Sequence, residues 1–155
     1  MNPPAEEAPK TRVLVVCIGN SCRSQMAEAF ARAYGGDVVT PASAGLFPAM
    51  SVARDTLRAM AERSLDLRDH FPKSLRHLGR AQFDIAVNLT GEPLPPGVAP
   101  RVLEWDVDDP IGMSYEEHCA IRDYIERLVM KLILEIRRDR SQPGLRGQGS
   151  RFRQP

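Results

Sequence analysis

Apolar and polar residues alternate along the chain with two different periods, and the changes of period mark out the elements. Val13-Leu14-Val15-Val16 is an unbroken, mostly β-branched run. That is the pattern of a strand buried on both faces of a parallel sheet, so a strand is expected over 12–16. From Arg23 the period becomes helical. Met26, Phe30 and Ala33, with Ala27 and Tyr34, share one face, and Gly35-Gly36 stops the run. A second strand is expected over 38–42, and Pro41 within it removes a ladder donor, which places it at a sheet edge. A second helix is expected over 51–63, with Val52, Thr56, Leu57 and Met60 inward. Residues 70–80 read as a polar loop with a short helix over 73–78. A third strand is expected over 83–89, and Thr90 to Gly97 is too rich in Gly and Pro to be regular. A fourth strand over 101–105 leads into a loop over 106–113. Ser114-Tyr115-Glu116-Glu117 is a capping box, after which Ile121, Ile125, Leu128, Leu132 and Ile136 recur at helical spacing to about Arg138.

Strands alternating with helices predict an α/β fold, a parallel sheet wrapped on both faces, with ligands bound beyond the carboxyl ends of its strands. A chain of 155 residues suits a single domain with one core. The expected division is a loose Pro-, Ala- and Glu-rich arm over 1–10, the domain over 11–139, and a disordered basic tail over 140–155. A net charge of +1 predicts no general affinity for nucleic acid or membrane. No apolar run approaches the roughly 18 residues of a membrane span. Three cysteines argue against a disulfide framework and for a reducing, cytoplasmic setting. His70, His77 and His118 show no ligand spacing with the cysteines, so they are read as surface residues and no metal is expected.

The candidate chemistry lies where the first strand gives way to the first helix. Cys17 and Arg23 are six residues apart, with Gly19 and Asn20 between them. Gly and Asn tolerate left-handed backbone best, so the loop can curl and turn successive N–H groups inward. A ring of inward amides at a helix N-terminus is an anion site, and Arg23 adds a planar fork for a tetrahedral oxyanion. Cys17 sits where that positive field favours a thiolate. The stretch reads as a nucleophilic thiol at the bottom of an oxyanion cradle. It is not the nucleotide P-loop, since no Gly-Lys-Ser/Thr closes it.

Read as C-x5-R-S, Cys17 to Ser24 resembles the signature loop of the low-molecular-weight protein tyrosine phosphatases. The longer match from Cys17 to Glu28 is similar to the arsenate reductases that share that fold, with weaker echoes at Ser43-Ala44-Gly45 and Asp108-Asp109-Pro110. The resemblance implies a three-layer fold with a four-stranded parallel sheet in the order 2-1-3-4. It also implies a division of labour. Cys17 attacks the oxyanion. The amides of Ile18, Gly19, Asn20, Ser21, Cys22 and Arg23 hold its oxygens. Ser24 donates to the sulfur, and Asp109 is the general acid. Asn20 would hold the unusual loop backbone through its side chain.

Arsenate reduction needs a second thiol, which Cys22 or an external thiol (thioredoxin, glutaredoxin with glutathione, or mycothiol) would supply. The thioredoxin-coupled relatives carry two further cysteines after the third strand. This chain has Asn88-Leu89-Thr90-Gly91-Glu92 there, and its remaining thiol, Cys119, is expected in the core of the last helix. Gln25, where phosphatases of the family carry proline, and Ile111-Gly112 in place of an aromatic pair both point to the reductase. Hydrolysis of phosphotyrosine or aryl phosphates through a phosphocysteine remains the alternative. In some relatives a monovalent cation is held at the positions of Asn20, Glu28 and Ser43 with an aspartate. Lys73 stands at the fourth position here, so its ammonium is expected to replace the cation.

Overall fold

The computed structural model describes residues 8–142. A four-stranded sheet is built from β1 (Thr11–Cys17), β2 (Val39–Gly45), β3 (Ile85–Asn88) and β4 (Arg101–Glu104) in the order β2-β1-β3-β4, with every pairing parallel. The order and the direction are those expected. β1 is central because both of its neighbours can cover it, and its run from Val13 to Cys17 is buried throughout. Pro41 lies opposite Val13 on the edge strand, where its missing N–H costs no ladder bond.

Three α-helices join the strands: α1 (Arg23–Gly35), α2 (Arg54–Ala61) and α3 (Tyr115–Ser141). Met26 and Phe30 of α1, Met60 of α2, and Ile125, Val129 and Ile133 of α3 form one core with Val13, Val15, Ile85 and Val87 of the sheet. The opposite face, carrying Leu14, Val16 and Ala44, is covered by a single 3-10 turn at Arg76–Leu78 and by loop residues including Phe83, Leu94 and Val98. The α3 start is as the capping box predicts, with the Ser114 hydroxyl accepting from the Glu117 N–H at 3.1 Å. No helix among the described residues is long and apolar enough to cross a membrane.

Several details depart from the sequence pattern. Ala33 and Tyr34 point outward from α1, and Ala31 and Gly35 take the inner positions, because α3 packs against that side. His118 is buried rather than superficial. Cys119 is only partly buried, its sulfur 3.9 Å from a Glu62 oxygen, instead of lying in the core. A helix carries one buried stripe, and His118 falls on it seven residues before Ile125, with Cys119 turned off it. β2 runs on to Gly45. The second helix begins at Arg54 rather than at residue 51, because the residues before it are held by the loop that follows β1. The expected arm and tail fall largely on residues 1–7 and 143–155, outside the described residues. Of the arm's described part, Ala8 and Pro9 accept hydrogen bonds from Arg140 near the end of α3.

Gly45 faces Cys17 across the β1–β2 pair. A Cβ there would stand 2.8 Å from both the Asn20 amide nitrogen and the Ile18 oxygen, and backbone cannot swing aside. Gly45→Ala is therefore expected to destabilise the protein by about 1–3 kcal/mol, read by thermal denaturation. An unchanged melting temperature would show that the loop yields to the methyl group.

Candidate active site

The loop between β1 and α1 is shaped by where its carbonyl groups go. Cys17 O accepts from Leu46 N at 3.1 Å, Ile18 O from Phe47 N at 2.8 Å and Gly19 O from Ala49 N at 2.9 Å. Asn20 O accepts from Gln25 Nε2 at 3.1 Å. Ser21 O accepts from Ala53 N at 3.1 Å, and Cys22 O from Met26 N at 3.0 Å. No peptide bond in the described chain is cis. In a planar trans peptide the N–H of one residue points opposite the C=O of the residue before it. Anchoring the six carbonyls from Cys17 to Cys22 to the surroundings therefore turns the amides of Ile18 to Arg23 toward the loop interior. Residues 46–53 are the strap that holds four of the six, α1 holding the other two, and that is why helix α2 starts late.

Asn20 carries the strained corner, with φ of 50°. Its side chain holds the loop as expected. Lys73 N donates to Asn20 Oδ1 at 3.0 Å, and that fixed donor leaves Asn20 Nδ2 to bond Ser24 Oγ at 2.7 Å. Since that contact uses a Ser24 lone pair, the Ser24 proton is left for the Cys17 sulfur, 2.8 Å away. The Asn20 N–H reaches the same sulfur at 3.2 Å. Two donors thus converge on the Cys17 sulfur. Gln25, fully buried, ties the corner down further. Its Nε2 reaches Asn20 Oδ1 and Phe71 O, each at 3.1 Å, and its Oε1 lies 3.0 Å from His70 Nδ1.

The Arg23 guanidinium is buried and held from two sides, its Nη1 donating to Leu89 O and to Val107 O, each at 2.9 Å. Those carbonyls follow β3 and β4, so the arginine sews both loops to the cradle. Arg23 Nη2 is 3.7 Å from Asp109 Oδ2. Asp109 is half exposed and accepts the Ile111 N–H at 3.1 Å, an Asx turn that sets its direction. A cavity of about 450 Å³ opens between Arg23, the turn at Thr90 and Gly91, and the loop from Asp106 to Asp109.

Every residue singled out in the loop therefore comes together with Asp109 on the carboxyl edge of the sheet. All three cysteines carry free thiols, with Cys17 and Cys22 both buried. Burial pushes the Cys22 thiol above its usual range, while hydrogen bonds from Thr56 and Ser21 act against it. After β3 the chain makes a tight turn without a thiol, closed by Asn88 Nδ2 on Glu92 O at 2.7 Å and by Thr90 on Asn88 Oδ1.

Lys73 makes no direct ion pair with Glu28, although the Glu28 charge acts on its ammonium. Arg32 makes that pair, one turn along α1 at 2.9 Å, while Ser43 Oγ donates to the other Glu28 oxygen at 2.9 Å. The Lys73 ammonium lies over the Phe71 ring and donates to Phe71 O. The i,i+4 spacing of Glu28 and Arg32 could have revealed this pair. The strap residues and the carbonyls that hold Arg23 have no signature in the chain, because backbone groups bond whatever side chain they carry, and the clamping role of Gln25 depends on partners as distant as His70 and Phe71. No group of metal-binding side chains occurs among the described residues.

The family model for low molecular weight phosphotyrosine protein phosphatase matches residues 12–95. A glutaredoxin arsenate reductase from Synechocystis is 32% identical over 129 residues, covering 81% of this chain and 98% of its own. The solved structure of an arsenate reductase in the phosphate binding state superposes with a TM-score of 0.75 at 30% identity, over 81% of this chain and 98% of that one. A thioredoxin-dependent arsenate reductase from Corynebacterium glutamicum superposes with a TM-score of 0.69 at 29% identity, over 85% of this chain and 64% of that one.

Removing the Asn20 side chain takes the acceptor from the Lys73 amide, the donor from Ser24 and one of the bonds from Gln25, at a left-handed position. Inorganic phosphate is expected to raise the melting temperature of the wild type, and Asn20→Ala is expected to cost about 1–3 kcal/mol and to abolish that rise. Because Arg32 already neutralises Glu28, exchanging sodium for potassium is expected to leave the melting temperature unchanged. A potassium-specific rise would refute that assignment.

Proposed function

The chain belongs to the low molecular weight phosphotyrosine protein phosphatase family, and from that premise we propose that it is a thiol-dependent arsenate reductase of the cytoplasm. Arsenate lies in the cradle with its oxygens on the amides of Ile18 to Arg23 and on the Arg23 guanidinium. The Cys17 thiolate, supported by Ser24, attacks arsenic and forms an S–As bond. An arsenate oxygen leaves as water, with Asp109 supplying its proton. A second thiolate then attacks the Cys17 sulfur. The S–S bond forms, the S–As bond breaks with its electron pair remaining on arsenic, and arsenite departs.

The observation that carries this reading is the pair of free, buried thiols in one loop, Cys17 and Cys22. That loop lies in a chain matched over nearly the full length of a protein named as a glutaredoxin arsenate reductase. Cys22 supplies the second thiol internally, or an external one takes its place. Glutaredoxin with glutathione, thioredoxin and mycothiol are the candidate reductants, and the names of two relatives support the first two. The thiol-free turn after β3 argues against a relay that passes through that loop.

The same cradle and acid suit hydrolysis of phosphotyrosine or an aryl phosphate, with water resolving a phosphocysteine. Two assays divide the readings. Arsenate-dependent oxidation of one of the three thiol systems is expected to exceed hydrolysis of an aryl phosphate. Cys17→Ser is expected to abolish both activities by about a thousandfold or more, and Cys22→Ser to stop reduction while sparing hydrolysis. Aryl phosphate turnover without arsenate turnover by any of these thiols would make the protein a phosphatase.

A further inference from the structure

Backbone groups, which cannot reverse their roles, fix the direction of every hydrogen bond behind the cradle. Asn20 O and Phe71 O only accept, and both lie 3.1 Å from one end of the Gln25 amide, so that end is Nε2. Gln25 Oε1 is thereby turned to His70 Nδ1, 3.0 Å away. The Lys73 N–H only donates, so Asn20 presents Oδ1 to it at 3.0 Å and Nδ2 to Ser24 Oγ at 2.7 Å. Gln25 Nε2 reaches that same Oδ1 at 3.1 Å. Ser24 Oγ in turn lies 2.8 Å from the Cys17 sulfur. One line therefore runs from His70 through Gln25, Asn20 and Ser24 to Cys17. Gln25, Asn20 and Ser24 are fully buried, whereas the His70 side chain is 21% exposed.

We propose that His70 is a positioning residue for the nucleophile, its Nδ1–H holding the Gln25 amide and, through it, Asn20 and Ser24 against Cys17. The proposal deepens the reading of Cys17 as the attacking thiol and rests on it. His70 Nδ1 stands between two acceptors, Gln25 Oε1 and, at 3.8 Å, Glu28 Oε2. That nitrogen therefore carries the ring proton in the neutral imidazole as well as in the cation. Burial lowers His70 below its usual range and Glu28 opposes it; Arg32 and Lys73 side with burial, and Asp69 with Glu28. Either charge state donates the same proton to Gln25, so the line stays closed across that titration.

Among the described residues His70 is the donor that satisfies Gln25 Oε1. Without it a buried carbonyl oxygen is left bare, and the amide that bonds Asn20 O and Oδ1 loses its anchor. The ring of cradle amides depends on other contacts. Residues 46–53 hold the carbonyls of Cys17, Ile18, Gly19 and Ser21, and Met26 holds that of Cys22. Loss of the histidine therefore acts on the partners of the sulfur before it acts on the oxyanion site.

The test uses the full chain. Cys17 is alkylated with iodoacetamide at neutral pH, with and without inorganic phosphate, and the modified Cys17 peptide is followed by mass spectrometry. The amide nitrogen of asparagine stands as far from the backbone as Nδ1 does, and that of glutamine as far as Nε2. His70→Asn is therefore expected to keep the parent rate, whereas His70→Gln and His70→Leu slow alkylation by about tenfold. The phosphate concentration that half-protects Cys17 should stay near the parent value in all three. Gln25→Leu should also slow alkylation, and adding His70→Leu to it should cost nothing more, since the histidine acts through that amide. Equal rates in the Asn and Gln variants would reduce His70 to packing and overturn the proposal. So would a loss of phosphate protection in step with the slowing, or a further loss in the double variant. Should either leucine variant fail to fold, the comparison of Asn with Gln decides alone. A parent Cys17 that phosphate does not protect would remove the cradle and the proposal with it. Arsenate turnover is measured on the same proteins, where kcat should follow the alkylation rates with KM little changed. The Asn–Gln difference without arsenate turnover in the parent would leave the positioning role standing and sink the reductase reading.

Discussion

The site depends on the planarity of the peptide bond. Six successive carbonyls, from Cys17 to Cys22, are drawn outward by partners that lie outside the curl of the loop. Because a trans peptide sets its N–H against its C=O, that outward pull is what turns the amides inward. The donors are thereby preorganised and need not be reoriented when an anion arrives, which is the property that makes such a ring effective in catalysis. The strap over 46–53 and the short first turn of α1 supply the pull, so the cradle is a product of tertiary contacts as much as of its own residues.

A second layer keeps the reactive side chains in place. Asn20, Ser24 and Gln25 form one buried network in which each donor meets an acceptor, and among the described residues no buried side-chain nitrogen or oxygen lacks a partner. A buried polar network is stabilising only when fully satisfied. Here its satisfaction fixes the Asn20 amide, which fixes the Ser24 hydroxyl, which aims a proton at the Cys17 sulfur. Arg23 performs a similar service for the loops after β3 and β4. By binding Leu89 O and Val107 O it joins the ends of two neighbouring strands and carries the Asp109 turn up to the cradle. The proposed general acid and the proposed oxyanion clamp are therefore positioned by one side chain.

Much of this was open to reading in the chain. The four apolar residues after Arg12 could only be a buried strand. Cys17 and Arg23 at their spacing, with Gly19 and Asn20 between, carried the cradle, and Pro41 carried the edge. These signals are local, since period, turn chemistry and backbone tolerance act within a few residues of each other. Even His118 was legible in part, for it lies in phase with Ile125 along α3. Its neighbour Cys119 lies off that stripe, and in the sequence an apolar residue next to the stripe looks much like one on it.

What the order of residues could decide was the kind of elements, their sequence along the sheet, and the identity of the loop that carries the chemistry. What only the folded chain could decide was which distant groups complete that loop. Leu46, Phe47, Ala49 and Ala53 lend it backbone donors, and Leu89 and Val107 lend it acceptors. Arg32 rather than Lys73 pairs with Glu28, and Thr56 meets His118 across the α2–α3 interface. The physical reason is the same in each case. A backbone amide or carbonyl is present at almost every position and leaves no mark in the sequence. The pairing of two buried polar side chains is settled by packing across helices whose faces meet only after the sheet has formed.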